Sequence, residues 1–158
     1  EPSLIRTEAD ELTYCLHIMV RYELEKRMFD GSLTAHDLPA EWNRLYKEYL
    51  GIDVPDDRQG VLQDSHWANG NIGYFPSYAI GSAYGAQYLQ EMSKDLDVDA
   101  VVRSGDLTPI NNWLEDRIWK HGCMKDPVAL FESVCGKFDP DCYVAYLEKK
   151  FTEVYGLS

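Results

Sequence analysis

The chain has 158 residues, about one domain's worth, and sets 15 Lys and Arg against 27 Asp and Glu for a net charge of −12. That sign excludes broad electrostatic capture of nucleic acid or an anionic membrane, which both need a positive face. With 45% hydrophobic and 13% aromatic residues the chain is not compositionally disordered, and no run approaches the roughly 20 apolar residues that span a bilayer.

In chain order, Ile5, Ala9, Leu12, Leu16 and Met19 fall at alternating steps of four and three, which predicts one apolar face of a helix over 4–29. Gly31 stops it. Asp37 and Pro39 open a second helix through Trp42, Leu45, Tyr46, Tyr49 and Leu50, and Gly51 closes it. Residues 52–73 carry Pro55, Gly60, Gly70 and Gly73 without sustained periodicity. They read as a long functional or mobile connection, with room for a helical turn near 63–67.

A third helix is expected from Pro76 to about Leu96. Its small residues Ala79, Gly81, Ser82, Ala83, Gly85 and Ala86 predict close approach of another backbone, at a cost in helix propensity. Thr108-Pro109, Asp126-Pro127 and Asp139-Pro140 mark three further starts, with stops at Gly122, Gly136 and Gly156. No segment alternates like a strand. The fold class is therefore all-α, with about six or seven helices in a single helical domain or fragment spanning 1–158. The four cysteines, at 15, 123, 135 and 142, form no CxxC pair. They read as free thiols of a reducing compartment, with one bridge within 123–142 as the minor alternative.

Three groupings could carry chemistry. Arg6, Asp10, Thr13 and His17 fall on one line of the first helix, where an arginine can grip a carboxylate with Asp10 orienting it. The plainer reading is a surface ion pair. Gln63, Asp64, His66 and Trp67 crowd into five residues. There His66 could donate to a carbonyl or oxyanion with Asp64 or Gln63 fixing its tautomer. The alternative is that Asp64 caps a short helix while His66 packs with Trp67. Tyr74 and Tyr78 stand four apart where a glycine loop meets a helix, and a phenol stabilises developing negative charge. Core packing is the competing reading there, and it is the one given to Tyr84 and Tyr88. The histidines at 17, 36, 66 and 121 include no HExxH and no helical metal pair, so no metal ligand is assigned in this chain.

Ile5-Arg6-Thr7-Glu8-Ala9-Asp10 and Gly60-Val61-Leu62-Gln63-Asp64-Ser65-His66-Trp67 match IRxxAD and GxxQDxHW. On these motifs the chain resembles the M32 family of thermostable, Taq-type metallocarboxypeptidases, over nearly its whole length and most closely from 2 to 95. The resemblance covers the family's C-terminal third, so its HExxH helix and third ligand, a glutamate, lie outside this chain. It implies a gluzincin-like, helical, groove-bearing fold that uses Zn2+ or another divalent metal to remove C-terminal residues from peptides. The metal activates water and polarises the scissile carbonyl.

On that resemblance Arg6 reads the substrate's free terminal carboxylate. His66 with Tyr74 or Tyr78 serves the carbonyl or oxyanion, and Asp10, Gln63 and Asp64 orient these groups. The piece alone is expected to be inactive and to hold no metal. Its partner is a peptide with a free C-terminus, with neither nucleic acid nor membrane. The parent is expected to be a cytoplasmic homodimer, and the surface left open predicts self-association of the piece. The alternatives are a non-catalytic helical binding or oligomerisation module, and part of a helical zinc endo-oligopeptidase.

Overall fold

The structure is a computed structural model that describes residues 2–157. Among these residues there are seven α-helices and two 3-10 turns, in the order 3-10 turn (Arg6–Glu8), α1 (Glu11–Phe29), α2 (Leu38–Leu50), α3 (Pro76–Asp95), α4 (Val98–Ser104), α5 (Thr108–Arg117), 3-10 turn (Trp119–His121), α6 (Pro127–Cys135) and α7 (Asp141–Tyr155). The all-α expectation holds. None of the described helices is long and apolar enough to cross a membrane.

The chain divides into two compact units, Glu1–Ile80 and Gly81–Ser158. In the first, Val20 and Leu24 of α1 pack with Trp42, Leu45, Tyr46 and Leu50 of α2, and with Leu33 and Val61 from the connections. Gly51 ends α2 with φ +73°, a left-handed conformation that a side chain would strain. In the second unit Tyr84 stacks on Phe131 with ring centroids 3.9 Å apart, while Phe138 and Tyr88 meet Phe131 edge-on. Tyr84 and Tyr88 are packing residues, as expected.

Four expectations need correction. The first helix starts at Glu11 rather than near residue 4. Ala9 is extended, and Asp10 caps α1 by accepting from the backbone N–H and the hydroxyl of Thr13, both at 2.8 Å. Its apolar line is also displaced. Leu12 and Met19 are 41% and 46% exposed, whereas the face turned inward carries His17, Ile18, Val20, Arg21, Leu24 and Glu25.

No regular helix forms over 63–67; a single helical turn sits slightly later, where the Asn69 N–H donates to the Ser65 carbonyl at 2.9 Å, beside turns closed over 57–62 and 66–71. A Cβ added at Gly81 or Gly85 would meet nothing within 4 Å, so neither glycine is required by a close backbone approach among the described residues. Asp97 and Gly105 bracket a helix, α4, that its sequence did not announce. Cys15, Cys123, Cys135 and Cys142 are all free thiols.

Candidate functional site

The site grows from the two non-helical segments of the first unit. The 3-10 turn at Arg6–Glu8 ahead of α1 turns Arg6 inward until it is 8% exposed. The 52–73 connection brings Asp64 to meet it. At the head of the second motif, Gly60 is required by crowding: a Cβ there would lie 2.8 Å from Val54 Cγ1 and 3.1 Å from the Asp56 carbonyl oxygen. The turn around Gly60 can therefore close tightly and deliver Asp64 and His66 in one orientation.

Asp64 is the hub. Its Oδ1 accepts from Arg6 Nε at 3.2 Å and from Arg6 Nη2 at 2.8 Å. Its Oδ2 accepts from Arg21 Nε at 2.6 Å. Arg21 Nη2 lies 2.5 Å from the same oxygen as an ion pair, without hydrogen-bond alignment. Burial alone would raise the Asp64 pKa, but hydrogen bonds and charge from the two guanidinium groups outweigh it and hold the carboxyl below its usual range. Burial likewise works against the charge on Arg6, and Asp64 reverses that effect.

Arg21 itself is fully buried. Its Nη1 donates to the His17 carbonyl at 2.7 Å, and its guanidinium lies 4.5 Å from the Trp42 ring centroid, a cation–π placement.

His66 stands beside this hub, its Nδ1 3.7 Å from Asp64 Oδ1 and its Nε2 3.1 Å from the Tyr78 hydroxyl. The ring packs on Phe75 at 4.4 Å, with Tyr74 stacked 6.0 Å away. Tyr78 closes the circle: its ring centroid is 5.1 Å from the Arg6 guanidinium and meets Tyr74 edge-on at 5.3 Å. His66 Nδ1 is too far from Asp64 Oδ1 for a hydrogen bond and has no hydrogen-bond partner among the described residues, while Nε2 shares a hydrogen bond with the Tyr78 hydroxyl. Tyr74 is 52% exposed.

Five of the seven residues singled out by the sequence therefore come together: Arg6, Asp64, His66, Tyr74 and Tyr78. Two do not. Asp10 spends its carboxylate on the α1 cap, so Asp64 rather than Asp10 orients Arg6. Gln63 Nε2 donates to the Arg58 carbonyl at 2.5 Å and closes a turn instead of fixing His66. Asp64 caps no helix, and Trp67 Nε1 donates to Glu25 Oε1 at 2.7 Å rather than pairing with His66.

Sequence reasoning missed Arg21 and Glu25. The signal was the same polar line of α1, which continues past His17 at steps of four. Glu25, 4% exposed, also accepts from the Gly73 backbone N–H at 3.1 Å, so it pins both sides of the loop 67–73. Tyr14, whose hydroxyl accepts from Arg6 Nη1 at 3.1 Å, was likewise unread. Of the five N–H donors of a guanidinium, Arg6 therefore commits three within the chain.

Among the described residues no group of three or more His, Cys, Asp or Glu side chains is placed to hold a metal ion. The described residues of this chain do not by themselves fit a divalent metal.

The model of the family described as Carboxypeptidase Taq (M32) metallopeptidase matches residues 1–151. Among curated relatives, Carboxypeptidase 1 of Bacillus subtilis (strain 168) is 45% identical over 157 residues, covering 98% of this chain and 31% of that protein. Thermostable carboxypeptidase 1 of Thermus thermophilus is 44% identical over 159 residues, covering 99% of this chain and 31% of its own length. Among solved structures, the M32 carboxypeptidase of Deinococcus radiodurans R1 superposes with a TM-score of 0.94 at 38% identity, over 99% of this chain and 32% of that one. The chain thus spans about a third of the length of these relatives.

Proposed function

The chain belongs to the Carboxypeptidase Taq (M32) metallopeptidase family, and from that premise we propose that it forms the substrate-reading C-terminal portion of a metallocarboxypeptidase. Both units belong to that portion. The observation that carries the reading is that Arg6 Nη2 and His66 Nδ1 approach one and the same oxygen, Asp64 Oδ1, at 2.8 and 3.7 Å. A cation and an imidazole are thereby fixed side by side, as recognition of a terminal carboxylate and its adjacent carbonyl requires.

Arg6 supplies the cation. Asp64 and Tyr14 hold it still, and its two remaining N–H groups are directed to the carboxylate of a peptide with a free C-terminus. Two arginines against one aspartate leave the cluster with a net positive charge, which favours that anion. His66 keeps its ring plane through Phe75 and has the Tyr78 hydroxyl as its partner at Nε2. Tyr74, the more exposed phenol, donates to the carbonyl oxygen as negative charge develops there.

The metal-binding part belongs to the remaining two thirds of the family's chain, with Zn2+ as the proposed ion. A homodimeric, cytoplasmic parent completes the proposal.

The test joins this chain to the missing portion of an M32 polypeptide and assays release of C-terminal amino acids. Metal-dependent release is expected, with amidated peptides as poor substrates. Arg6→Ala should lower kcat/KM on the order of 100-fold, and normal turnover by that variant would remove the carboxylate assignment. Cleavage of C-terminally blocked peptides would point instead to an endopeptidase. The absence of any hydrolysis would point to a non-catalytic module.

A further inference from the structure

Arg21 belongs to neither sequence motif, yet it is the cation most deeply set in the cluster, with a side chain wholly shielded from solvent. A fully buried guanidinium is costly unless its donors and charge are met. Here the charge is met by Asp64 Oδ2, and Nε donates to that oxygen. Nη1 donates to the His17 carbonyl and, at 3.4 Å, to the Tyr46 hydroxyl, while Nη2 has only the ion-pair contact with Asp64. The face of the guanidinium is covered by Trp42 on α2 and by Phe75, 5.4 Å away. Arg21 is thus anchored by α1, α2 and the segment leading into α3.

Asp64 has no such anchor of its own. It sits in a connection without regular structure, and each of its oxygens faces a different arginine. With Oδ2 occupied by Arg21, Oδ1 is left for Arg6 and for the approach of His66. Were Oδ2 released, the carboxylate could rotate and engage Arg6 through both oxygens. That bidentate pairing is the stronger one for an isolated Arg–Asp pair. It uses no more N–H groups than the two that Oδ1 already takes, but it would turn the guanidinium and redirect the N–H groups left for a substrate.

We infer that Arg21 is a positioning residue for substrate recognition: by holding Oδ2 of Asp64 it fixes the direction in which the rest of the Arg6 guanidinium is open to a carboxylate. It does so by keeping the Asp64 carboxylate on the Nε edge of Arg6, where Nε and Nη2 share the single oxygen Oδ1. The inference rests on the carboxylate-reading role given to Arg6. Arg21 touches no substrate in this scheme and acts only through Asp64.

Two variants test it, Arg21→Met and Arg21→Lys, each made in this chain and in the rejoined full-length polypeptide. In the 158-residue chain the Asp64 carboxyl carbon is followed by NMR through acid. Arg21→Met should raise its midpoint by about one unit or more, since a neighbouring arginine lowers an aspartate by that much. An unmoved midpoint overturns the inference. Arg21→Lys keeps the charge but not the fork, which guards against loss of the fold in Arg21→Met. Its Arg6 N–H signals should show altered exchange with solvent, and unaltered exchange also overturns the inference.

In the full-length polypeptide, Arg21→Lys should raise KM for a free-carboxylate peptide about tenfold, as loss of a charged hydrogen bond does. The kcat should stay within about twofold, and the amidated peptide should be unaffected. Equal losses on both peptides, or failure of both variants to fold, make Arg21 a core strut and overturn its positioning role. If the unsubstituted polypeptide treats both peptides alike, the role of Arg6 fails, while the Asp64 titration still reports on Arg21.

Discussion

The unit ending at Ile80 buries Arg6, His17, Arg21 and Glu25, whereas the unit that follows buries a single polar side chain among the described residues, the neutral Gln87. In the second unit aromatic rings and apolar side chains fill the interior around Phe131, and Gln87 satisfies backbone groups at 135, 137 and 139. In the first unit α1 turns its polar line inward and leaves Leu12, Met19, Tyr22 and Phe29 exposed. A purely apolar interior would serve stability as well or better, because buried ion pairs seldom repay their desolvation. The difference sets the two units apart: in the first, buried charge fixes the direction of Arg6, Arg21 and Asp64, and in the second oil-like packing suffices.

Removing the hub tests that contrast most severely. Asp64→Asn leaves two guanidinium groups facing each other with no countercharge, and should destabilise the fold by about 3–5 kcal/mol in urea unfolding. A loss no larger than a surface substitution gives would show that solvent already screens the cluster.

Acid probes the same unit at a different point. Burial, with the nearby charge of Arg21, lowers the His17 pKa from 6.5 to about 4. Between those values the unfolded chain binds a proton that the folded chain refuses. The contribution of His17 is therefore intact above pH 6.5 and shrinks as the pH falls to about 4, by about 3 kcal/mol. Asp64, held below its usual 3.8, acts in a separate window. Its contribution persists at 3.8 and above and is lost only as the pH falls through its lowered folded value. Unfolding free energies of the native chain and of His17→Asn, measured from pH 7 to 4, should converge toward the acid end. Parallel curves would place the acid sensitivity elsewhere.

Glu25 sharpens the comparison by separating charge from hydrogen bonding. Glu25→Ala strands the Trp67 and Gly73 N–H groups and should cost about 2 kcal/mol. Glu25→Gln keeps a carbonyl acceptor and should recover at least half of that loss in the same unfolding assay. No recovery would mean that the negative charge itself, and not the acceptor, holds the loop.

What could be read in advance followed from local chemistry. Asp126-Pro127 opens α6, and Gly51 closes α2, because capping and left-handed turns depend on one or two residues. The start of α1 escaped because the apolar spacing of Ile5 and Ala9 continues smoothly through a break set by the Asp10–Thr13 cap. The seven residues of α4 give fewer than two turns of periodicity, too few to register. Arg6, Asp64 and His66 were visible as motif residues, and Tyr74 and Tyr78 from their phenol chemistry, but their mutual arrangement was not, since Arg6 and Asp64 are 58 positions apart. Arg21 was hidden by its type. A cation on a helix reads as solvent-facing until its distant partner is seen.

The smallest expected effect lies in the second unit and completes the contrast. Phe131 is fully buried, stacks on Tyr84 at 3.9 Å and meets Tyr88 and Phe138 edge-on at 5.2 and 5.9 Å. Phe131→Leu forfeits aromatic pairing worth roughly 0.5–1.5 kcal/mol per pair, yet keeps most of the buried apolar area while the neighbouring rings close in. The net cost should be about 1.5 kcal/mol in urea unfolding, with no change in how the rejoined polypeptide distinguishes free from amidated peptides. An interior built on non-directional contact absorbs a change of shape, whereas an interior built on directed charge does not absorb a change of one oxygen to nitrogen. A cost for Phe131→Leu equal to that of Asp64→Asn would erase the distinction between the two units.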